Sequence, residues 1–527
     1  MKKFFLFVVI CLFSITISRT FAQNAPTRNP FACGMSAEDA RENFKYMNEL
    51  RARYPQGAQL RAIAYVPVYF HLVAKDDATG RISESNVLDM LCEWNRLYTV
   101  AGLELQFYIK GFTYINKTTL YDAPKSFGGG QNMTINKKLD GMNIFITNNA
   151  GDGTSVGTVL GYYDRNSDWI VLNKTEISTA GAGTIAHEAG HFFTLNHTFY
   201  GWEEAGPFVP TANTPCAPRS VTYSGQSFEV ETVARTGATA NCSRTGDGFC
   251  DTPEDYNFGF GASATCTFNT VAKDPDCVAV NPDETNLMSY FLNCSSKIFS
   301  PQQKTAITTD YANGTKHAYL RPGNITPVQT VNASTVVSPA LGATTPYYNN
   351  VQLDWTDAAG AIGYIVEIST NQNFTINNRI FNVTTSDLNI NSNNVGIYLS
   401  TDRIYYWRVR SYGAYKTCAT TLSGTSNFRT SSLNATIDIP GVTQFTIAPN
   451  PVTNNEKMLL AVTAENPFDA TMVISNIAGQ VQATENLHFD IGYTQKAISI
   501  NNFTNGFYIL SLKSDKGILT KRIVVQK

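Results

Sequence analysis

Residues 187–197 read HEAGHFFTLNH and hold three of the chain's six histidines. Residues four apart lie on one face of a helix. A helix here therefore aims His187 and His191 at one point, with Glu188 beside them. Two imidazoles and an adjacent carboxylate at this spacing are the H-E-x-x-H arrangement for zinc. A catalytic zinc takes a third protein ligand and leaves one position open. His197 lies six residues past His191, and six helical steps turn about 600°, or about 240° net, so a continuing helix would aim it elsewhere. The helix has to end near Thr194 and the chain has to turn back. Any fold for this chain must supply a helix that stops short and a return that delivers a third ligand.

The start of the chain says where such a site would work. MKKFFLFVVICLFSITISRTFAQ has a charged start at Lys2 and Lys3, a short apolar stretch and small residues at Thr20 and Ala22. It reads as a secretory signal, residues 1–22, cut after Ala22. No later stretch is apolar enough to span a bilayer, so no transmembrane segment is expected in the mature chain. Cys11 leaves with the signal, and Cys216, Cys242, Cys250, Cys266, Cys277 and Cys294 cluster in one region, as in an exported, disulfide-bonded domain. Cys33, Cys92 and Cys418 stand apart without an obvious partner. A net charge of -2 offers no electrostatic footprint for nucleic acid.

At 527 residues the chain has room for three or four domains. Residues 23–61 begin with a proline-bearing extended piece, and Ser36 with Asp39 reads as the N-cap and acidic first turn of a polar helix. AYVPVYFHLV (64–73) reads as a strand. Val87, Met90, Leu91, Trp94, Leu97 and Tyr98 recur at helical spacing. LELQFYIKGF, MNIFITN and DWIVLN read as further strands, the last leading into the histidine segment. This order gives an α+β or α/β region over residues 62–322. Beyond it, VQLDWT, GYIVEIST, YYWRVRSYG and SNFRTS are short alternating strands, a β-sandwich over 325–432 with Trp355 and Trp407 as core aromatics. Residues 437–527 form a third, β-rich block. Neither later block has histidines, cysteines or carboxylates at ligand spacing, so the chemistry belongs to the first.

The histidine segment, GDGFCDTPED (246–255) and NLMSYF (286–291), in that order, resemble the pappalysin family of metzincin metalloproteases. The resemblance covers roughly residues 31–320. It implies a catalytic domain with a twisted mixed sheet and an active-site helix above a cleft, followed here by two all-β sandwiches. It makes His187, His191 and His197 zinc ligands and Glu188 the general base. Met288 becomes the methionine of a turn beneath the ion, and Tyr290 a tyrosine that steadies the oxyanion. Asp247 and Thr252 fall where the family holds a structural calcium, for which oxygen ligands on a tight loop are suited. Cysteine order in the family implies Cys242–Cys277 and Cys266–Cys294, leaving Cys216–Cys250. FACGM (31–35) resembles the family's cysteine switch, in which the thiolate of Cys33 takes the open position on zinc. The family motif has a glycine where this chain has Thr194. A β-branched residue resists φ > 0 by about 1–2 kcal/mol, so either the turn uses other dihedrals or neighbouring packing holds Thr194 in place.

Residues 325–432 also resemble a fibronectin type III module. APNPV, ISNIAGQ, NGFYIL and TKRIVVQK, within 445–527, resemble the C-terminal sorting domain of type IX secretion. Together these imply a secreted or surface-attached zinc endopeptidase, exported through the periplasm by the type IX machinery, acting on protein or peptide substrates and made as a latent precursor. The alternative is a surface adhesin whose metzincin domain is catalytically weakened.

Overall fold

The computed structural model describes residues 33–60, 62–151, 159–260, 266–291, 294, 296–321, 327–328, 330–415, 418, 422–433, 439–453 and 457–526. The signal at 1–22 lies outside them. The described part of the expected pro-segment is dominated by helix α1 (Ala37–Arg53), whose N-cap Ser36 accepts from the Asp39 amide. Among the described residues no helix is long and apolar enough to cross a membrane.

The first region is built on a five-stranded sheet. Its strands are β1 (Ala64–Ala74), β2 (Leu105–Asn116), β3 (Met142–Thr147), β4 (Gly161–Asp164) and β5 (Trp169–Asn173). Their spatial order is β2-β1-β3-β5-β4, all parallel except β4, which runs antiparallel to β5 at the edge. Parallel strands need crossover connections. Helix α2 (Glu84–Val100) makes the first, burying the Val87, Met90, Leu91, Trp94, Leu97 and Tyr98 face that its spacing predicts. Helix α5 (Ala182–Phe192), the histidine helix, packs beside α2 and against β4 and β5 in the same large core. Helices α3 (Thr118–Asp122) and α4 (Phe127–Asn136) cover the opposite face through Tyr121, Met133, Phe145 and Trp169. The sheet is thus buried on both sides, as parallel sheets are. Below α5 the chain is largely irregular, with one hairpin of β6 (Ser220–Tyr223) and β7 (Gln226–Glu229), until helix α6 (Pro301–Asn313) begins at a capping box on Ser300 and Gln303.

Among the described residues four disulfides are formed. Cys266 joins Cys294, but the expected Cys242–Cys277 and Cys216–Cys250 pairs are replaced by Cys216–Cys277 and Cys242–Cys250. The reason is local. The chain from 242 to 250 folds on itself through Gly246 and Gly248, both at positive φ, and returns Cys242 to a Cα separation of 5.0 Å from Cys250. Cys216 lies beside Lys273 in a β-bridge, and Lys273 also bridges Ala279, so the loop between them brings Cys277 to Cys216. The fourth bridge, Cys92–Cys418, joins α2 to the second region, where no pairing is expected from the sequence.

That second region is a sandwich of a three-stranded sheet (Val336–Ser338, Val351–Trp355, Asp387–Ile390) and a five-stranded sheet centred on Gly363–Ser369 and Ile404–Tyr412. Trp355 and Trp407 are both buried in it. It docks onto the outer edge of the first region's sheet. The Ile109 amide of β2 donates to the Ala414 carbonyl, Tyr108 stacks on Tyr415, and Arg410 pairs with Asp89 of α2. The third region, from Val442 to Gln526, holds a three-stranded and a five-stranded sheet around their own core.

Candidate metal centre

Helix α5 carries His187, Glu188 and His191 on its buried face, and it ends where the third histidine needs it to end. The Phe193 amide still donates to the Ala189 carbonyl. Then the Thr194 amide donates to the His191 carbonyl and the Leu195 amide reaches back to Gly190. The last two bonds are the pair that closes a Schellman C-cap, with Thr194 as the residue in the left-handed region. Thr194 has φ 76. It takes the conformation a glycine would take, held in place by burial, and its Oγ1 has no hydrogen-bond partner among the described residues. Thr194→Gly removes the β-branch strain and the unsatisfied hydroxyl, against the extra unfolded-state freedom of glycine. The expected result is a gain of about 1 kcal/mol, seen as a raised thermal midpoint with metal binding retained.

Past this turn His197 returns to the helix. His191 Nε2 lies 3.1 Å from His187 Nε2 and 3.2 Å from His197 Nε2. The outer nitrogens are all engaged. His187 Nδ1 donates to the Leu287 carbonyl (2.7 Å), His191 Nδ1 to the Leu195 carbonyl (2.7 Å) and His197 Nδ1 to the Glu203 carboxylate (3.0 Å). These acceptors place each ring's proton on Nδ1, leaving three Nε2 lone pairs facing one another. Burial holds the rings neutral, lowering His187 and His197 to about 3 and His191 well below its ordinary value. Converging lone pairs repel unless a cation sits among them. For zinc–nitrogen bonds of about 2.05 Å a tetrahedron has an edge of about 3.3 Å, so the spacing fits the ion.

Cys33 joins this group. Its Sγ and the three imidazole nitrogens lie within 4.8 Å of one another, the only such cluster of three or more His, Cys, Asp or Glu among the described residues. Cys33 Sγ is also 3.4 Å from Glu188 Oε2. Burial pushes the Glu188 carboxyl up to about 8, against a smaller lowering by the hydrogen bond from the Cys33 thiol, while burial and then the Glu188 charge raise the Cys33 thiol. The segment around Cys33 is tied down at each residue. The Cys33 amide donates to the Tyr290 hydroxyl (2.8 Å), the Gly34 amide to the Gly161 carbonyl on β4 (2.9 Å), and Lys125 Nζ to the Gly34 carbonyl (2.6 Å). Helix α1 then crosses the end of α5. Asn43 donates to the His191 carbonyl and Asn196 to the Ala40 carbonyl, both at 2.9 Å.

The turn at 286–290 lies under the histidines. Asn286 Oδ1 accepts from the Met288 amide, and the Met288 carbonyl accepts from Thr198. A Cβ on Gly190 would come within 2.4 Å of Met288 Sδ, so the third position between the two histidines has to be glycine for the methionine to pack there. Tyr290 is half-buried, its ring centre 5.0 Å from that of His197. Asp247 and Thr252 sit apart from this cluster. Asp247 accepts from Gln303 Nε2 and the Phe249 amide, and Thr252 Oγ1 contacts Ser300 Oγ. Their loop serves as a brace for the start of α6, where the neighbouring Asp251 accepts from Ser300 and the Gln302 amide. Sequence reasoning missed Glu203, Lys125 and Asn43, since none has a motif spacing to the histidines and each arrives through the tertiary fold.

Residues 446–526 match the family described as the secretion system C-terminal sorting domain. An extracellular metalloprotease of Sordaria macrospora is 26% identical over 205 residues, covering 33% of this chain and 66% of that protein. One of Neurospora crassa is 28% identical over 205 residues with the same coverage, so the chain spans just under two thirds of each relative's length. Among solved structures, the FN1-FN3 domains of chicken CNTN1 align at 13% identity over 37% of this chain and 68% of theirs, with a TM-score of 0.17. A Fn3-like protein of Clostridium thermocellum aligns at 22% identity over 18% of this chain and 93% of its own, with a TM-score of 0.14. Alignments at these scores decide nothing, and the sandwich assignment rests on the strand order given above. The sorting-domain match marks the chain as secreted or cell-surface.

Proposed function

We propose that this chain is a secreted zinc endopeptidase of the metzincin type, close to the pappalysins, made as a latent precursor and exported by type IX secretion. The observation that carries the reading is the convergence of three lone-pair-bearing imidazole nitrogens beside a buried, non-ligating carboxylate. His187, His191 and His197 would hold the ion. When bound, zinc supplies a Lewis acid that polarises a carbonyl and acidifies water. Glu188 takes the proton of the water that attacks the peptide carbonyl and passes it to the leaving amine. The Tyr290 hydroxyl donates to the oxygen that gains charge. The edge strand β4 offers the Gly161 carbonyl to an extended peptide, as it now does to Gly34. Residues 23–61 act as the pro-segment, 62–322 as the catalytic domain, 325–432 as a fibronectin-like module and 437–527 as the sorting domain. Two relatives named extracellular metalloproteases support the class.

The test is metal analysis of the purified full-length chain, paired with casein digestion after the pro-segment is cut. The expected result is about one zinc per chain and hydrolysis that stops with a chelator and returns with zinc. Casein hydrolysis indifferent to chelation, or none at all from the cut chain, overturns the reading.

A further inference from the structure

Two of the three histidines lean on backbone carbonyls. The third leans on a carboxylate, and the chain between them is shaped to put it there. From His197 the backbone makes two successive turns, with the Tyr200 amide donating to the His197 carbonyl (3.1 Å) and the Trp202 amide to the Phe199 carbonyl (2.9 Å). Gly201 stands at φ 104, which a side chain would not readily adopt, and a Cβ there would press on Phe228 at 3.2 Å. This hoop returns Glu203 to the ring it started from. One carboxylate oxygen lies 3.0 Å from His197 Nδ1 and the other accepts from the Gly201 amide at 2.8 Å. One face of the ring is covered by Phe199, stacked at 4.6 Å and 8° between planes. The pair is largely withdrawn from solvent, the His197 and Glu203 side chains being 3% and 14% exposed.

We infer that Glu203 is a positioning residue for the metal centre, which orients His197 and strengthens it as a ligand for a divalent ion. The inference rests on the proposed metal site and deepens it. A carboxylate behind an imidazole fixes the ring's tautomer and makes its far nitrogen a better donor, an effect worth about 10–100-fold in metal affinity. Its second oxygen is held by the Gly201 amide, so the carboxyl and the ring lock each other in place. The acceptors behind His187 and His191 are the backbone carbonyls of Leu287 and Leu195, so among the described residues Glu203 is the side chain that orients a histidine of the cluster through its outer nitrogen.

The experiment is zinc affinity, read by competition with a chromophoric chelator on the full-length chain, for the unaltered protein, Glu203→Gln and Glu203→Ala. Glu203→Gln keeps the shape and a hydrogen-bond acceptor while removing the carboxyl, and about a tenfold loss of affinity is expected. Glu203→Ala removes both, and a loss towards 100-fold is expected. The visible spectrum of the cobalt-substituted chain is expected to shift in both. Thermal midpoints of the metal-free forms separate this from a packing role. Unchanged zinc affinity and cobalt spectrum in Glu203→Gln, whatever its midpoint, overturns the role of Glu203. An unaltered chain that binds no zinc instead overturns the metal site itself, and Glu203's role falls with it.

Discussion

Glu188→Gln is expected to leave the activated chain unable to hydrolyse casein while its zinc content stays that of the unaltered protein. Glu188 lies between the two helical histidines in sequence but points its carboxylate at the space the Cys33 thiol now fills, 3.4 Å away. It belongs to no ligand pair, so the ion has no need of it. It is almost wholly buried, and Gly161 on β4 is what makes room, because a Cβ there would stand 3.1 Å from Glu188 Cγ. Glutamine fits the same space and cannot take a proton. Losing a positioned general base costs about 10²–10⁴-fold in rate. Peptide hydrolysis rates and zinc content of the two proteins are the measurement, and residual activity above a few per cent would take the role away from Glu188.

Cys33→Ala is expected to raise the activity of the uncut precursor on a small peptide about tenfold or more. The thiol is the fourth member of the ligand-forming cluster, and a donor worth only about 1.4 kcal/mol to the closed form shifts its population tenfold. The variant is not expected to match the cut enzyme. Gly34 stays paired to β4, Lys125 stays on the Gly34 carbonyl, and α1 stays anchored through Asn43 and Asn196. The measurement is the ratio of uncut to cut activity in both proteins. An equal ratio would leave Cys33 without a switching role and give latency to α1 alone.

The linear sequence carried the local parts of this architecture well. Helical spacing marked the buried face of α2, and the four-residue interval from His187 to His191 placed both on one side of α5. It also said that the helix must stop near Thr194, and it ends at Phe192. It left open how, because the answer depends on burial of a residue that is unfavourable by itself at φ 76. Contacts that arise only after folding were beyond it. Glu203 meets His197 through a six-residue hoop with no periodic signature. The cysteine pairs 216–277 and 242–250 follow from turns and a β-bridge rather than from order along the chain. The depth of α1 was also hidden, since Met47 and Asn43 stand in a largely polar helix and are nonetheless buried.

The bridge between Cys92 and Cys418 has a consequence for how the chain survives among proteases. It spans 326 positions of sequence, and it encloses the connection between the histidine-bearing region and the sandwich that follows. A cut anywhere in that connection divides the polypeptide but not the molecule. The segment that matches the sorting domain, 446–526, lies downstream of the sandwich. Without the bridge, one nick near residue 330 would leave the histidine-bearing piece tied to the piece that carries the sorting segment by noncovalent contacts alone. With it, the two pieces stay covalently joined as a two-chain protein until a reductant opens the bridge.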